Sequence, residues 1–264
     1  MKAGFVQMEP KLGQGPQNAL HARELIGEAD KMDLIVLPEL ANSGYNFKNP
    51  KIAMEYSEEV KKSHFIDILQ KVCADKNCHI VTGFNERDGN RIYNSALLIN
   101  EKGVVGKYRK IHLFMNEKDY FTPGDESPKI FEILGWRIGM LICFDWAFPE
   151  LWRSLALKGA DIIAHPANFI LEEYATKAVP VHAMLNRYYV VTSNRIGTED
   201  ELTFTGGSFI SDPNGTVIAK ARKKSEEVRV VELYLDECRN KKVTPRNDIL
   251  EDRRPEFYSE ILTN

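Results

Sequence analysis

Three side chains of this sequence have types and surroundings that suit joint chemistry: the thiol of Cys143, the carboxyl of Glu39 and the amine of Lys110. Cys143 ends the apolar run Gly139-Met140-Leu141-Ile142, and Phe144-Asp145-Trp146 and Pro149-Glu150 follow it. A buried strand that stops on a cysteine and turns into a helix presents a nucleophile at its tip. Backbone N–H groups of the turn and the next helix N-terminus can stabilise negative charge there. Taken alone, the cysteine reads as core, because free cysteines are among the most buried residues. Glu39 follows Leu37-Pro38 and is bracketed by Val36, Leu37, Leu40 and Ala41. Removal from water makes a carboxylate a stronger base, so Glu39 is expected to accept a proton near neutral pH. Lys110 lies in Lys107-Tyr108-Arg109-Lys110, and the apolar Ile111, Leu113 and Phe114 turn the chain inward after it. An inward lysine beside a carboxylate and a thiol carries the charge that stabilises a developing oxyanion. Glu117 begins the polar connection that follows and is a further candidate.

The elements that must hold these residues alternate. Lys2–Met8 reads as a strand and 17–29 as a helix. The continuous apolar run Asp33-Leu34-Ile35-Val36-Leu37 reads as a strand buried on both faces that delivers Glu39. The segment 59–77 is expected to be one amphipathic helix with Val60, His64, Ile68, Leu69, Val72 and Cys73 inward. Strands are expected at 79–84, 91–100 and 104–108, the last two as a hairpin, then a long polar connection over 116–127. The pair 130–133 and 137–142 delivers Cys143, and Pro149 opens a helix to Leu157. A strand at 161–164, a helix at 176–187 and strands at 188–193, 207–211, 216–221 and 228–233 follow. Pro213-Asn214-Gly215 reads as a hairpin turn rather than a glycosylation site. The charged tail from 236 to 264 is expected to hold one or two helical turns and to serve oligomer contacts. The pattern is an α/β layer protein in a single domain spanning 1–264.

Composition narrows the function classes. The 264 residues are 43% hydrophobic, ample for a large core. With 35 basic and 38 acidic residues and a net charge of −3, nothing favours nucleic acid or an anionic membrane. No apolar run approaches a membrane span and no signal-like segment opens the chain, so a cytoplasmic location is expected. Four cysteines without paired metal-ligand spacing read as reduced thiols, with no metal and no cofactor expected.

The strings Leu37-Pro38-Glu39-Leu40, Tyr108-Arg109-Lys110-Ile111-His112 and Ile142-Cys143-Phe144-Asp145-Trp146 resemble those of the nitrilase superfamily of carbon–nitrogen hydrolases. Tyr120-Phe121-Thr122-Pro123-Gly124-Asp125 and the stretch from Gly159 to Asn168 are similar to that family too, and the likeness runs over nearly the whole chain. The resemblance implies a four-layer α-β-β-α sandwich with two mixed β-sheets. It implies a Glu39–Lys110–Cys143 triad, with Glu117 as the family's second glutamate. It also implies a homodimer or higher homo-oligomer that buries the helix from Pro149 and the helix around 176–187.

The expected reaction is hydrolysis of a small amide or N-carbamoyl compound through a thioester, with a nitrile as the alternative substrate. Phe144-Asp145-Trp146, where nitrilases commonly carry Trp-Glu after the cysteine, tilts the reading to the amidase and carbamoylase branches. Tyr45, Phe144, Trp146, Asn168 and Phe169 are candidate pocket walls. Two rivals stand beside this: a papain-like Cys-His enzyme using His112 or His165, and a non-catalytic interaction subunit.

Overall fold

The computed structural model describes residues 1–171 and 173–262; Thr263 and Asn264, the end of the predicted tail, lie outside the described residues. The fold follows from strands that bury both faces in different cores. In β2 (Leu34–Val36), Leu34 and Val36 point into one core while Ile35 points into another. Neighbouring strands repeat this alternation: in β4 (Arg91–Asn100), Ala96 and Leu98 face the first core and Leu97 and Ile99 the second. With a period of two, a strand buried on both sides reads as a continuous apolar run.

The first core lies between two sheets. One sheet has the order β14 (Glu227–Glu232), β1 (Lys2–Gln7), β2, β3 (His79–Asp88), β4, β5 (Gly103–Arg109). The other has the order β13 (Val217–Lys220), β12 (Phe209–Ser211), β9 (Tyr189–Asn194), β8 (Ile162–Ala167), β7 (Trp136–Met140), β6 (Ile130–Ile133). Each centres on three parallel strands, β1-β2-β3 and β7-β8-β9, with antiparallel strands at the margins. The second core packs α1 (Gly15–Glu28) and α3 (His64–Lys76) on the outer face of the first sheet. Trp152, Leu155 and Ala156 of α5 (Pro149–Leu157) and Val179 and Ala183 of α6 (Tyr174–Asn186) cover the second sheet. The result is the α-β-β-α sandwich that the sequence implied.

Four local expectations need correction. The segment 59–77 is not one helix: a short 3-10 turn at Val60–Lys62 ends at Ser63, whose hydroxyl accepts from the Ile66 N–H at 3.2 Å and starts α3 afresh. Such a cap is worth about 1 kcal/mol, and it rotates His64 out to solvent rather than inward. The connection at 116–127 is not uniformly polar, since α4 (Glu117–Tyr120) forms there and buries Glu117 and Phe121. The tail carries α7 (Leu235–Arg239) and then a hairpin of β15 (Lys242–Thr244) and β16 (Asn247–Asp248). The strand expected at 137–142 ends at Met140, leaving Cys143 beyond it. Two more short strands, β10 (Thr198–Glu199) and β11 (Leu202–Thr203), pair as a small hairpin. No helix is long and apolar enough to cross a membrane among the described residues.

Candidate active site

Parallel strands carry their following loops to one edge of a sheet, and in open α/β sheets ligand sites form there. Glu39 follows β2, Lys110 follows β5, and Cys143 and Asn168 follow β7 and β8 of the facing sheet. All four are buried. The loop after β2 stays pinned to β3, where the Gly83 N–H donates to Pro38 O at 3.0 Å and the Ala41 N–H to Gly83 O at 3.1 Å. Glycine is required at position 83, because a β-carbon there would lie 2.3 Å from the Cα of Glu39.

Glu39 is held by one oxygen only. Its Oε1 accepts from Asn94 Nδ2 and Lys110 Nζ, both at 2.7 Å. Its Oε2 is buried with no partner among the described residues. A buried carboxylate oxygen without a donor is costly unless a reacting group supplies the proton. Lys110 is fully enclosed and gives a second bond to Glu117 Oε1 at 2.8 Å. An ammonium has three N–H donors, so one remains for a bound molecule. Glu117 accepts from Tyr45 Oη at 2.9 Å on Oε1 and from the Phe114 N–H at 3.2 Å on Oε2. Tyr45, expected as a pocket wall, holds the second glutamate instead and is not among the residues around the space beside Cys143.

Cys143 opens a 3-10 turn, Cys143–Ala147, and has φ +40°. The left-handed region strains a residue with a β-carbon and persists only where the surroundings impose it. Asp145 does so here. Its Oδ2 accepts from the Ile142 N–H at 2.9 Å and from Tyr108 Oη at 2.8 Å, and its carbonyl accepts from Trp152 Nε1 at 2.9 Å. His112 Nδ1 lies 2.9 Å from the other carboxylate oxygen, and its ring stacks on Phe148. By drawing in the Ile142 N–H, Asp145 pulls the chain off the β7 ladder before the cysteine, and so β7 ends early.

Asn168 does more than line the pocket. Its Nδ2 donates to the Glu39 carbonyl at 2.9 Å and ties the two sheets together. Phe114, Phe144, Trp146, Phe169, Ile170 and Leu171 form the remaining wall beside Cys143, around a space of about 20 Å³. The papain-like arrangement is absent: His165 Nε2 lies 3.0 Å from the Cys143 carbonyl oxygen. Burial also lowers the His165 imidazole to about 4, which leaves it neutral. Among the described residues no cluster of His, Cys, Asp or Glu is arranged to hold a metal.

Electrostatics divide the labour. Burial, then the Glu39 carboxylate, push the Cys143 thiol well above its ordinary range, and Lys110 only partly offsets them. The cysteine therefore rests as a thiol and needs a base at the moment of attack. Burial alone would lower Lys110, yet Glu117, Glu39 and Cys143 together hold it above its ordinary value, so it stays charged. Burial raises Glu117 from 4.5 to about 7, against the pull of Lys110. The folded chain therefore holds this proton more tightly than the unfolded chain. Its stabilising effect is full below 4.5 and is lost as pH rises to about 7. Glu117→Gln lacks that pH dependence, so its melting temperature relative to the native one should move several degrees in the variant's favour between pH 4.5 and pH 8.

Asn94, Tyr108 and Asp145 were given no role from sequence, and His112 and His165 only the role of a base in the rival papain-like reading. A usable signal existed for Asn94, which with Ser95 forms a polar pair just before the apolar run Ala96–Ile99, and for Asp145, which sits within the cysteine motif.

Fold and site together define a hydrolase of carbon–nitrogen bonds other than peptide bonds. Residues 2–243 match the family model described as carbon-nitrogen hydrolase, and the chain belongs to that family. It is similar to a protein named nitrilase from Pyrococcus abyssi, with 44% identity over 98% of this chain and 99% of that relative. An (R)-stereoselective amidase from Pseudomonas sp. is 34% identical over 96% of this chain and 92% of its own length. The crystal structure of a carbon-nitrogen hydrolase from Helicobacter pylori G27 superposes with a TM-score of 0.88 at 27% identity, over 100% of this chain and 98% of that one.

Proposed function

We propose that this chain is a cysteine-dependent amidohydrolase that converts a small, uncharged amide to a carboxylate and ammonia. The observation that carries this reading is the unpartnered, buried Oε2 of Glu39 in a site that also encloses a protonated thiol. In the proposed sequence Glu39 takes the Cys143 proton as the sulfur attacks the amide carbon. Lys110 and the Phe144 N–H stabilise the oxyanion, each such donor being worth roughly 3 to 4 kcal/mol. The C–N bond breaks, the proton on Glu39 passes to the leaving ammonia, and an acyl thioester remains on Cys143. Glu39 then activates a water that attacks the thioester, releasing the carboxylate and restoring the thiol. Glu117 keeps Lys110 oriented throughout. Because its bonds all come from donors, the ionised form fits the site, so the rate should fall as pH drops below about 7.

The walls support an uncharged acyl group, since Phe114, Phe144, Trp146, Phe169, Ile170 and Leu171 bring no charge to the mouth. Nitrile hydrolysis is the second reading, favoured by the relative named nitrilase. A non-catalytic subunit fits less well, because Glu39, Lys110 and Cys143 are all present and brought together. The test is ammonia release across aliphatic amides, N-carbamoyl compounds and nitriles, with Cys143→Ala as control. Amides should turn over fastest; faster nitrile turnover would replace the amidase reading, and undiminished hydrolysis by Cys143→Ala would end both.

The four cysteines are free and buried, which suits a reducing compartment such as the cytoplasm. For assembly we propose a homodimer through α5 and α6, where Leu157, Val181, Met184 and Leu185 stand exposed, with the apolar Phe257 and Ile261 of the tail nearby in sequence to the chain end. Val181→Glu should then shift the protein from dimer to monomer in sedimentation velocity. An unchanged dimer would exclude this face.

A further inference from the structure

We infer that Arg195 and Glu199 are positioning residues that set the Tyr45 phenol on Glu117 and through it orient Lys110. This rests on the amidohydrolase reading and adds to it the part of the chain that holds the second glutamate in place. Glu199 belongs to the short hairpin strand β10, far in sequence from Tyr45. Its Oε2 accepts from the Tyr45 N–H at 3.0 Å and from the Asn46 N–H at 2.6 Å, and Asn46 Nδ2 donates to its backbone carbonyl at 3.1 Å. Its Oε1 takes the Arg195 guanidinium at 2.6 Å.

Arg195 is almost fully enclosed, only 1% exposed. Nη2 donates to Pro10 O at 2.8 Å and Nε to Ile196 O at 3.2 Å, so its place is fixed from three sides. The same guanidinium lies 4.0 Å over the Phe204 ring, and Phe204 meets the Tyr45 ring edge-on at 5.8 Å. Tyr45 is therefore gripped twice, at its backbone through Glu199 and at its ring through Phe204. Gly44 makes the close approach possible: it has φ +77°, and a β-carbon there would lie 2.7 Å from Glu199 Oε1.

A buried ion pair is a poor source of stability, since desolvation offsets most of the attraction. Here the pair is connected to the chemistry. The phenol it holds donates to Glu117, and a donor to a carboxylate favours the ionised form. The groups facing Glu117 are Lys110, Tyr45, the Phe114 N–H and the charge of Glu39. Those facing the pair are the Tyr45 and Asn46 N–H groups and, at longer range, Glu9 and Glu39. Loosening the pair should thus weaken the phenol bond and make Glu117 harder to ionise.

The test is a cycle of Tyr45→Phe, the paired variant Arg195→Met/Glu199→Ala, and their combination. Changing both members avoids leaving a buried guanidinium without its anion. The paired variant should lower kcat roughly tenfold, the scale of one lost hydrogen bond, with KM nearly unchanged. The acid limb of its pH profile should move up, as in Tyr45→Phe. Once the phenol is gone the pair should have little further effect, so the combined variant should resemble Tyr45→Phe. Arg195→Met/Glu199→Gln, which keeps an acceptor for the Tyr45 and Asn46 N–H groups, should give a smaller shift in the same direction if the paired variant folds poorly. Additive effects, or an acid limb that stays in place, would overturn the inference and leave the pair purely structural. The pH range over which the melting temperature responds to Glu117 ionisation, compared between the native protein and the paired variant, reads the same shift without reference to substrate. It keeps this test separate from the amidohydrolase reading, which fails instead if Cys143→Ala hydrolyses amides at the native rate.

Discussion

Glu39→Gln is expected to lower kcat for amide hydrolysis by about three orders of magnitude, the loss typical of a removed general base. The substitution preserves size and still offers an oxygen to Asn94 and Lys110, which now meet Oε1. What it removes is the basic, unpartnered Oε2, replaced by an amide that cannot take a proton from a thiol. Because Cys143 rests protonated, no reserve of thiolate exists to carry the reaction without the base. A melting curve on the same preparation separates this loss of chemistry from any loss of fold. A rate within tenfold of the native enzyme in ammonia-release assays would show that the proton goes elsewhere.

Lys110→Met should damage both rate and fold. Lys110 is the cation shared by Glu39 and Glu117, at 2.7 and 2.8 Å, in a site closed to water. Removing it leaves two carboxyls facing each other in a low-dielectric pocket, and breaking a buried ion pair on one side costs about 3–5 kcal/mol. The penalty shrinks at low pH, where the orphaned carboxyls take up protons, so the melting temperature of the variant should approach the native one there. Loss of the oxyanion donor should lower kcat by about 10²–10³-fold in the fraction that remains folded. Melts and kcat measured on one preparation across pH separate the two effects. A variant as stable as the native protein at pH 8 would contradict the shared-cation role.

How much of this was legible in the sequence depended on whether the signal was local. Strands such as 34–36 and helices such as Pro149–Leu157 announce themselves by apolar runs and by proline placement, and both fall close to where they were expected. Glu39, Lys110 and Cys143 stood out as chemically able side chains in apolar surroundings, and the family resemblance joined them as a triad; in the structure all three are buried, with Lys110 Nζ 2.7 Å from Glu39 Oε1. The α3 start was misread because apolar spacing on either side of Ser63 kept the same phase, whereas the hydroxyl cap at Ser63 resets the helix. Contacts that cross the sandwich left no local trace. Nothing near Asn168 indicates that its amide holds the Glu39 carbonyl, and nothing near Glu199 indicates Tyr45, because those partners are 129 and 154 positions apart. Asp145 was visible in its motif, but its hold on Ile142, Tyr108 and His112 emerges only when the turn is seen.

The most direct test of the whole account is to look for the acyl enzyme. The protein should be mixed with a slowly turned-over aliphatic amide, quenched in acid during steady turnover, digested, and read by mass spectrometry. The account predicts an acyl group, the substrate less ammonia, on the peptide carrying Cys143, and no such adduct in Cys143→Ala. Steady ammonia release with the adduct on another residue, or undiminished release by Cys143→Ala, would contradict it.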